Sequence, residues 1–184
     1  VINYHNISLI GGPGLFSYGM HAAKIYTAHE HWLVCPTHVL WRYNRETCDS
    51  KECVRCQLAY RRPPQLWRLG KTLERSLSNI QTFVALSEFS RAKHREFGFP
   101  REMEVLPQFA PDDGPATNLA EPRPHDRPYF LCVGRLEPVK GIHDAVSAFA
   151  EYRDADLLIA GEGNSEPSLR AAANGNSRCV FLGH

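Results

Sequence analysis

The chain has 184 residues, enough for one domain or two small ones. Hydrophobic residues make up 43% and charged residues 22%, the balance of a soluble globular protein, which excludes wholesale disorder. Lys and Arg number 21 and Asp and Glu 20; a net charge of +1 speaks against a nucleic-acid binder that draws its affinity from a strong positive field.

No apolar run approaches the roughly 18 residues that a membrane-spanning helix needs. The start, Val1-Ile2-Asn3-Tyr4-His5, has neither a leading Met nor the basic region of a signal peptide. The chain therefore reads as cytoplasmic and as a piece of something longer. Charge is uneven: residues 42–75 hold nine basic and four acidic side chains, net +5. Such a stretch suits either a solvated face or an anionic surface such as phospholipid.

In chain order, Ile7–Ile10 is a short apolar run followed by the turn Gly11-Gly12-Pro13-Gly14, and Tyr26–His29 has the look of a strand end. The spacing predicts a helix over Gln65–Asn79, with Leu66, Leu69, Leu73 and Leu77 on the inner face and Arg68, Lys71, Glu74 and Arg75 outside. Thr82–Leu86 follows as a buried strand. Ser87 then caps a helix that runs to Phe97 and stops at Gly98 and Pro100. Glu102–Leu106 is the next strand. Five prolines between Pro111 and Pro128 mark 110–128 as a linker.

Beyond the linker, Tyr129–Val133 is a continuous apolar run, as in a parallel strand covered on both faces. A helix over about 143–153, a strand at Leu157–Ala160, a helix at Ser165–Ala173 and a strand from Val180 follow. Alternating strands and helices specify parallel α/β winding.

The loop Gly134-Arg135-Leu136-Glu137-Pro138-Val139-Lys140-Gly141 carries the sharpest chemistry. It joins the carboxyl end of a strand to a helix, the place where doubly wound sheets bind ligands. By spacing alone, Arg135 and Lys140 are either two surface cations or a pair converging on one anion, Arg as a planar fork and Lys as a mobile point charge. Gly134 and Gly141 would let the backbone approach.

Val133–Ile142 resembles the signature of retaining glycosyltransferases of the glycogen-synthase-like group, which have the two-lobed B-type fold. Ala85-Leu86-Ser87-Glu88-Phe89-Ser90, Val105-Leu106-Pro107, Leu158–Gly163 and Val180–His184 are similar to further segments of that family, in the same order. The resemblance implies two Rossmann-like lobes, both incomplete here. Residues 1–109 would be the later part of the acceptor-side lobe and 129–184 the first half of the donor lobe. It implies transfer of a sugar from a nucleotide-diphosphate donor, with Arg135 and Lys140 gripping the diphosphate and no metal required. Gly134 and Glu162 fall on the donor side, and His29 matches a family histidine that contacts the transferred sugar. The acceptor would be a carbohydrate or a lipid-linked intermediate, as in cell-envelope polysaccharide synthesis, reached at the inner face of the membrane. The family's strand and glycine-rich loop before Val1, and its paired glutamates beyond His184, fall outside this sequence, so the chain alone is expected to be inactive. A noncatalytic nucleotide-sugar or phosphate binder and a zinc-stapled interaction module are the other readings.

Cys35, Cys48, Cys53 and Cys56 form the second constellation, spaced C-x12-C-x4-C-x2-C. Four thiolates with one pair two residues apart can close a tetrahedral zinc site that staples residues 36–60. Disulfides or redox-active thiols, and unlinked thiols, are the alternatives, and reducing conditions weigh against disulfides. Cys132 and Cys179 lie in or beside apolar strands and read as core.

Overall fold

A computed structural model of the chain describes residues 1–110 and 125–184. Its contacts divide it into two compact units, Val1–Pro111 and Asp112–His184. Both are α/β with parallel sheets, as the alternation of elements predicts. Most of the stretch read as a linker, 110–128, lies outside the described residues. No helix among the described residues is long and apolar enough to cross a membrane.

The first unit is built on a four-stranded sheet in the order β1-β2-β5-β6, every pairing parallel. The strands are β1 (Ile2–His5), β2 (Lys24–Ala28), β5 (Thr82–Ala85) and β6 (Glu104–Val105). β1 escapes the sequence reading because only Ile2 and Tyr4, alternating with exposed residues, mark four residues as a strand. Between β2 and β5 lie a two-residue hairpin, β3 (Trp41–Arg42) with β4 (Glu46–Thr47), then α1 (Cys53–Ala59) and α2 (Thr72–Leu77). α3 (Glu88–Glu96) follows β5, and Ser87 Oγ caps it by accepting the Ser90 N–H at 3.1 Å.

Aromatic rings fill the core of this unit. Phe16 meets Tyr26 edge-on at 5.7 Å, and Trp32 stacks on Tyr26 at 6.4 Å. All three are at most 1% exposed, and burial of such rings contributes about 2–3 kcal/mol each. The buried Lys24 is satisfied by donating from Nζ to the Phe16 carbonyl at 2.7 Å.

The continuous helix expected over Gln65–Asn79 is corrected. A short 3-10 turn, Leu66–Arg68, stops before Gly70, and α2 starts only at Thr72. Gly70 disfavours a helix interior by about 1 kcal/mol. The faces hold only in the second half: Leu73 and Leu77 face the core and Lys71, Glu74 and Arg75 are exposed, as expected, whereas Leu66 and Leu69 are 66% and 74% exposed and Arg68 turns inward. Its guanidinium lies over Trp32 at 5.1 Å and Trp67 at 4.5 Å and donates to the Trp32 carbonyl at 2.7 Å. Cation–π contact and a hydrogen bond to a buried carbonyl outweigh the leucine periodicity here.

α3 packs through His94, which is fully buried and stacks on His31 with ring centroids 5.0 Å apart. The Nε2 atoms of both rings are buried without a partner. Burial, then the positive potential of His94 and Lys93, pushes the His31 imidazole down to about 4, against a slight pull upward from Glu30. The unfolded chain takes this proton near pH 6.5 and the folded chain only near 4, so the fold loses stability as the pH falls between those values. Urea midpoints at pH 7 and pH 4.5 should differ less in His31→Phe than in the unaltered chain; an unchanged difference would acquit His31.

The second unit holds a three-stranded parallel sheet in the order β7-β8-β9, with β7 (Tyr129–Val133), β8 (Asp156–Ala160) and β9 (Cys179–Gly183). α4 (Ile142–Ala148) and α5 (Glu166–Ala173) join them, and Leu136, Val146, Leu157, Ile159 and Leu169 form the core. Two expectations are corrected. α4 stops at Ala148 rather than near 153. β7 lies at the sheet edge and is not covered on both faces: Phe130, Leu131 and Val133 are 56%, 53% and 75% exposed. Cys179 is buried and Cys132 packs against the core, as read. Just before β7, His125 Nε2 meets Asp156 Oδ2 at 2.6 Å and Arg127 Nε lies 3.2 Å from Oδ1.

Candidate functional site

Because β7, β8 and β9 are parallel, Val133, Ala160 and Gly183 end at one edge of their sheet. Two loops leave this edge side by side, Gly134–Gly141 and Gly161–Ser165, and they are joined backbone to backbone. The Gly134 N–H donates to the Ala160 carbonyl at 3.0 Å, Leu136 N–H to Glu162 O at 2.9 Å, and Ser165 N–H to Leu136 O at 2.9 Å. The contact leaves no room for side chains. A Cβ on Gly161, where φ is +133°, would stand 2.9 Å from the Gly134 carbonyl carbon and nearer still to its oxygen. One on Gly163 would strike the Leu136 carbonyl.

This lattice fixes the loop while exposing its cations. Leu136 is fully buried and anchors the loop in the core, which turns its neighbour Arg135 outward. The Arg135 guanidinium reaches Glu137 Oε1 at 3.0 Å, with 72% of its side chain exposed. Lys140 is exposed at the end of a 3-10 turn, Pro138–Lys140, and makes no ion pair among the described residues. Gly141, at φ +67°, then turns the chain into α4. Glu162 presents an exposed side chain on the neighbouring loop while its backbone oxygen holds Leu136. The structure thus brings Gly134, Arg135, Glu162 and the loop bearing Lys140 to one sheet edge. The pairing of Gly161 and Gly163 against the first loop escapes the sequence reading; its signal is the Gly-x-Gly that directly follows β8.

The parallel sheet of the first unit also gathers polar groups at its carboxyl edge. His29 directly follows β2, beside His5 at the end of β1, because the register pairs His5 with Thr27. His5 Nδ1 and His29 Nε2 are 2.8 Å apart, so one ring donates to the other, and Gln108 Nε2 lies 3.5 Å from His29 Nδ1. Both imidazoles are exposed. Next to them, Glu30 accepts from Ser8 Oγ and meets His38 Nδ1 at 3.3 Å. Burial pushes the Glu30 carboxyl up, but the hydrogen bonds from His38 and Ser8 outweigh it and hold the group below the usual carboxylate range. His5, Ser8 and His38 are absent from the sequence-level site because their relation to residues 29 and 30 depends on strand register.

Cys35, Cys48, Cys53 and Cys56 all border one cavity of about 20 Å³, and all are free thiols. As the side chains stand, no group of three or more His, Cys, Asp or Glu among the described residues is poised to hold a metal ion.

Residues 117–184 match the family model described as glycosyl transferases group 1. Among solved structures, the apo form of the lipopolysaccharide outer core galactosyltransferase WaaB is similar at 21% identity and a TM-score of 0.43. The alignment covers 63% of this chain and 34% of that one, so this chain spans about a third of that enzyme's length. No curated protein matches the chain.

Proposed function

We propose, from the group 1 glycosyl transferase match over residues 117–184, that this chain is part of a retaining glycosyltransferase that uses a nucleotide-diphosphate sugar. The observation that carries the reading is the pair of exposed cations, Arg135 and Lys140, on one loop at the carboxyl edge of the matched unit's parallel sheet.

As the glycosidic bond to the diphosphate breaks, negative charge grows on the leaving oxygen. Cations aimed there stabilise the transition state more than the ground state. In this reading Arg135 leaves Glu137 for two phosphate oxygens, Lys140 follows the developing charge, and Gly134 lets the backbone approach. Glu162 sits on the donor side; in the first unit His29, hydrogen-bonded to His5, is the candidate for the family's sugar-contacting histidine. The departing phosphate takes the acceptor proton, so no protein nucleophile and no metal are needed for the chemistry. The acceptor is a carbohydrate or a lipid-linked intermediate. The basic stretch 42–75, with Leu58, Leu66 and Leu69 exposed on it, supports work at a cytoplasmic membrane surface.

Titration of UDP, GDP and ADP into the intact protein tests this reading. One of the three is expected to bind and to shift the amide signals of residues 134–141. The matching nucleotide sugar should then yield a product with the donor's anomeric configuration. Tight diphosphate binding without turnover would favour a noncatalytic relative, and silence from all three nucleotides would remove the donor site.

A further inference from the structure

We propose that Cys35, Cys48, Cys53 and Cys56 bind one zinc ion as four thiolates, a structural site that holds residues 35–60 in place. The inference stands apart from sugar transfer and does not depend on it.

Three separate pieces of backbone deliver these four sulfurs to one place. Cys35 closes a turn by donating its N–H to the His31 carbonyl at 2.8 Å. Cys48 leaves the β3–β4 hairpin and is pinned by its N–H to the Leu40 carbonyl at 2.8 Å. Cys53 and Cys56 stand three apart in the first turn of α1, a spacing that puts both on one helix face. All four border the same cavity, whose free space of about 20 Å³ admits an ion and not a side chain. Thiols elsewhere in the chain do not gather: Cys132 and Cys179 belong to the core of the other unit.

The surroundings suit thiolates. The Tyr43 N–H points at Cys56 Sγ at 3.4 Å, and Thr37 Oγ1 lies 3.3 Å from Cys35 Sγ. Such donors stabilise charged sulfur around a metal. Zinc with four thiolates is a net dianion, and Lys51, Arg42 and Arg55 stand in the same net +5 stretch. Four protons leave as the four Zn–S bonds form, at about 2.3 Å each, and no oxidant or reductant is consumed. Zinc fits better than a hard cation because sulfur alone supplies the ligands.

The segment is otherwise held largely by polar contacts, such as Arg42 with Glu46 and Asp49 and the Tyr60 hydroxyl donating to the Trp41 carbonyl, and has little apolar core. Its hairpin has two residue pairs, and its own core is Cys35, Leu40 and Phe97. His38, Leu40, Tyr43 and Asn44 all have positive φ, a backbone state that non-glycine residues keep only when their surroundings impose it. Since no three sulfurs are yet poised around one point, closure requires the thiols to turn further into the cavity they share.

The test is metal analysis of the intact protein, purified under reducing conditions without a metal-affinity step. About one zinc per folded chain is expected, and cobalt(II) exchanged into it should give the intense visible bands and sulfur charge-transfer absorption of a tetrahedral four-thiolate site. Cys48→Ser and Cys53→Ser should lower the metal content, whereas Cys132→Ser and Cys179→Ser should not. If the serine variants fail to fold, the cobalt spectrum of the unaltered protein decides. Zinc below about 0.2 per folded chain with no cobalt–thiolate absorption would overturn the proposal. So would iron in its place, or a mass deficit of two hydrogens per sulfur pair.

Discussion

Replacing Arg135 and Lys140 together by alanine is expected to lower the kcat/KM for sugar transfer by about 10³-fold or more in the intact protein. Loss of a single preorganised donor to a developing oxyanion costs about 10²–10³ in rate. In the proposed mechanism the two side chains act on the same leaving group, so their separate losses should not multiply in full. The Arg135–Glu137 contact is no obstacle to this role. At 3.0 Å but largely exposed, such a pair is worth about 0–1 kcal/mol, less than the forked, charge-assisted bonds a diphosphate offers. Glu137→Gln should therefore leave donor affinity unchanged or slightly raised. Arg135→Lys keeps the charge but loses the fork, and should recover only part of the activity. Steady-state rates and diphosphate dissociation constants check all three variants. Wild-type transfer by the double alanine variant would remove the diphosphate grip from the mechanism.

The second large effect is expected at Gly161. Gly161→Ala places a Cβ against the Gly134 carbonyl group at a residue whose φ is +133°. Steric overlap in a packed site costs roughly 1–3 kcal/mol and an unfavourable backbone state about as much, so the second unit should lose about 2–4 kcal/mol. Relief requires the strand ends to separate, which displaces Arg135 and weakens diphosphate binding beyond the loss of stability. The comparison is Gly70→Ala, where no atom lies within 4 Å of the added carbon; there the change should be neutral or stabilising by up to about 1 kcal/mol. Urea unfolding followed in the second unit, together with diphosphate affinity, separates the two. Equal stability for Gly161→Ala and the unaltered chain would contradict the close approach of the loops.

Elements that carry both a local stop signal and a clear period were legible in the sequence. Ser87 and Gly98 bracket α3 because a hydroxyl cap and a glycine act through their own backbone neighbours. β5, β8 and β9 announce themselves by apolar runs between polar turns. Residues 65–79 mislead because their leucine period is real, but Gly70 and the two indoles around Arg68 act against it, and the tryptophan at 32 is distant in sequence. β7 reads as covered because composition registers hydrophobicity, whereas the number of sheet neighbours is a tertiary property. At the site, Arg135 and Lys140 are visible as a motif. His5 beside His29, and Gly161 beside Gly134, depend on which strands pair and in what register. No spacing along one chain encodes that.

The loops at 134–136 and 161–165 are fastened to each other through main-chain hydrogen bonds, with Leu136 and Ser165 buried beneath them. Arg135, Glu137, Glu162 and Asn164 hang outside that fastening. Substitutions at these four positions should therefore change what the sheet edge binds while the scaffold beneath keeps its shape. The main chain carries the architecture there, and the side chains carry the chemistry.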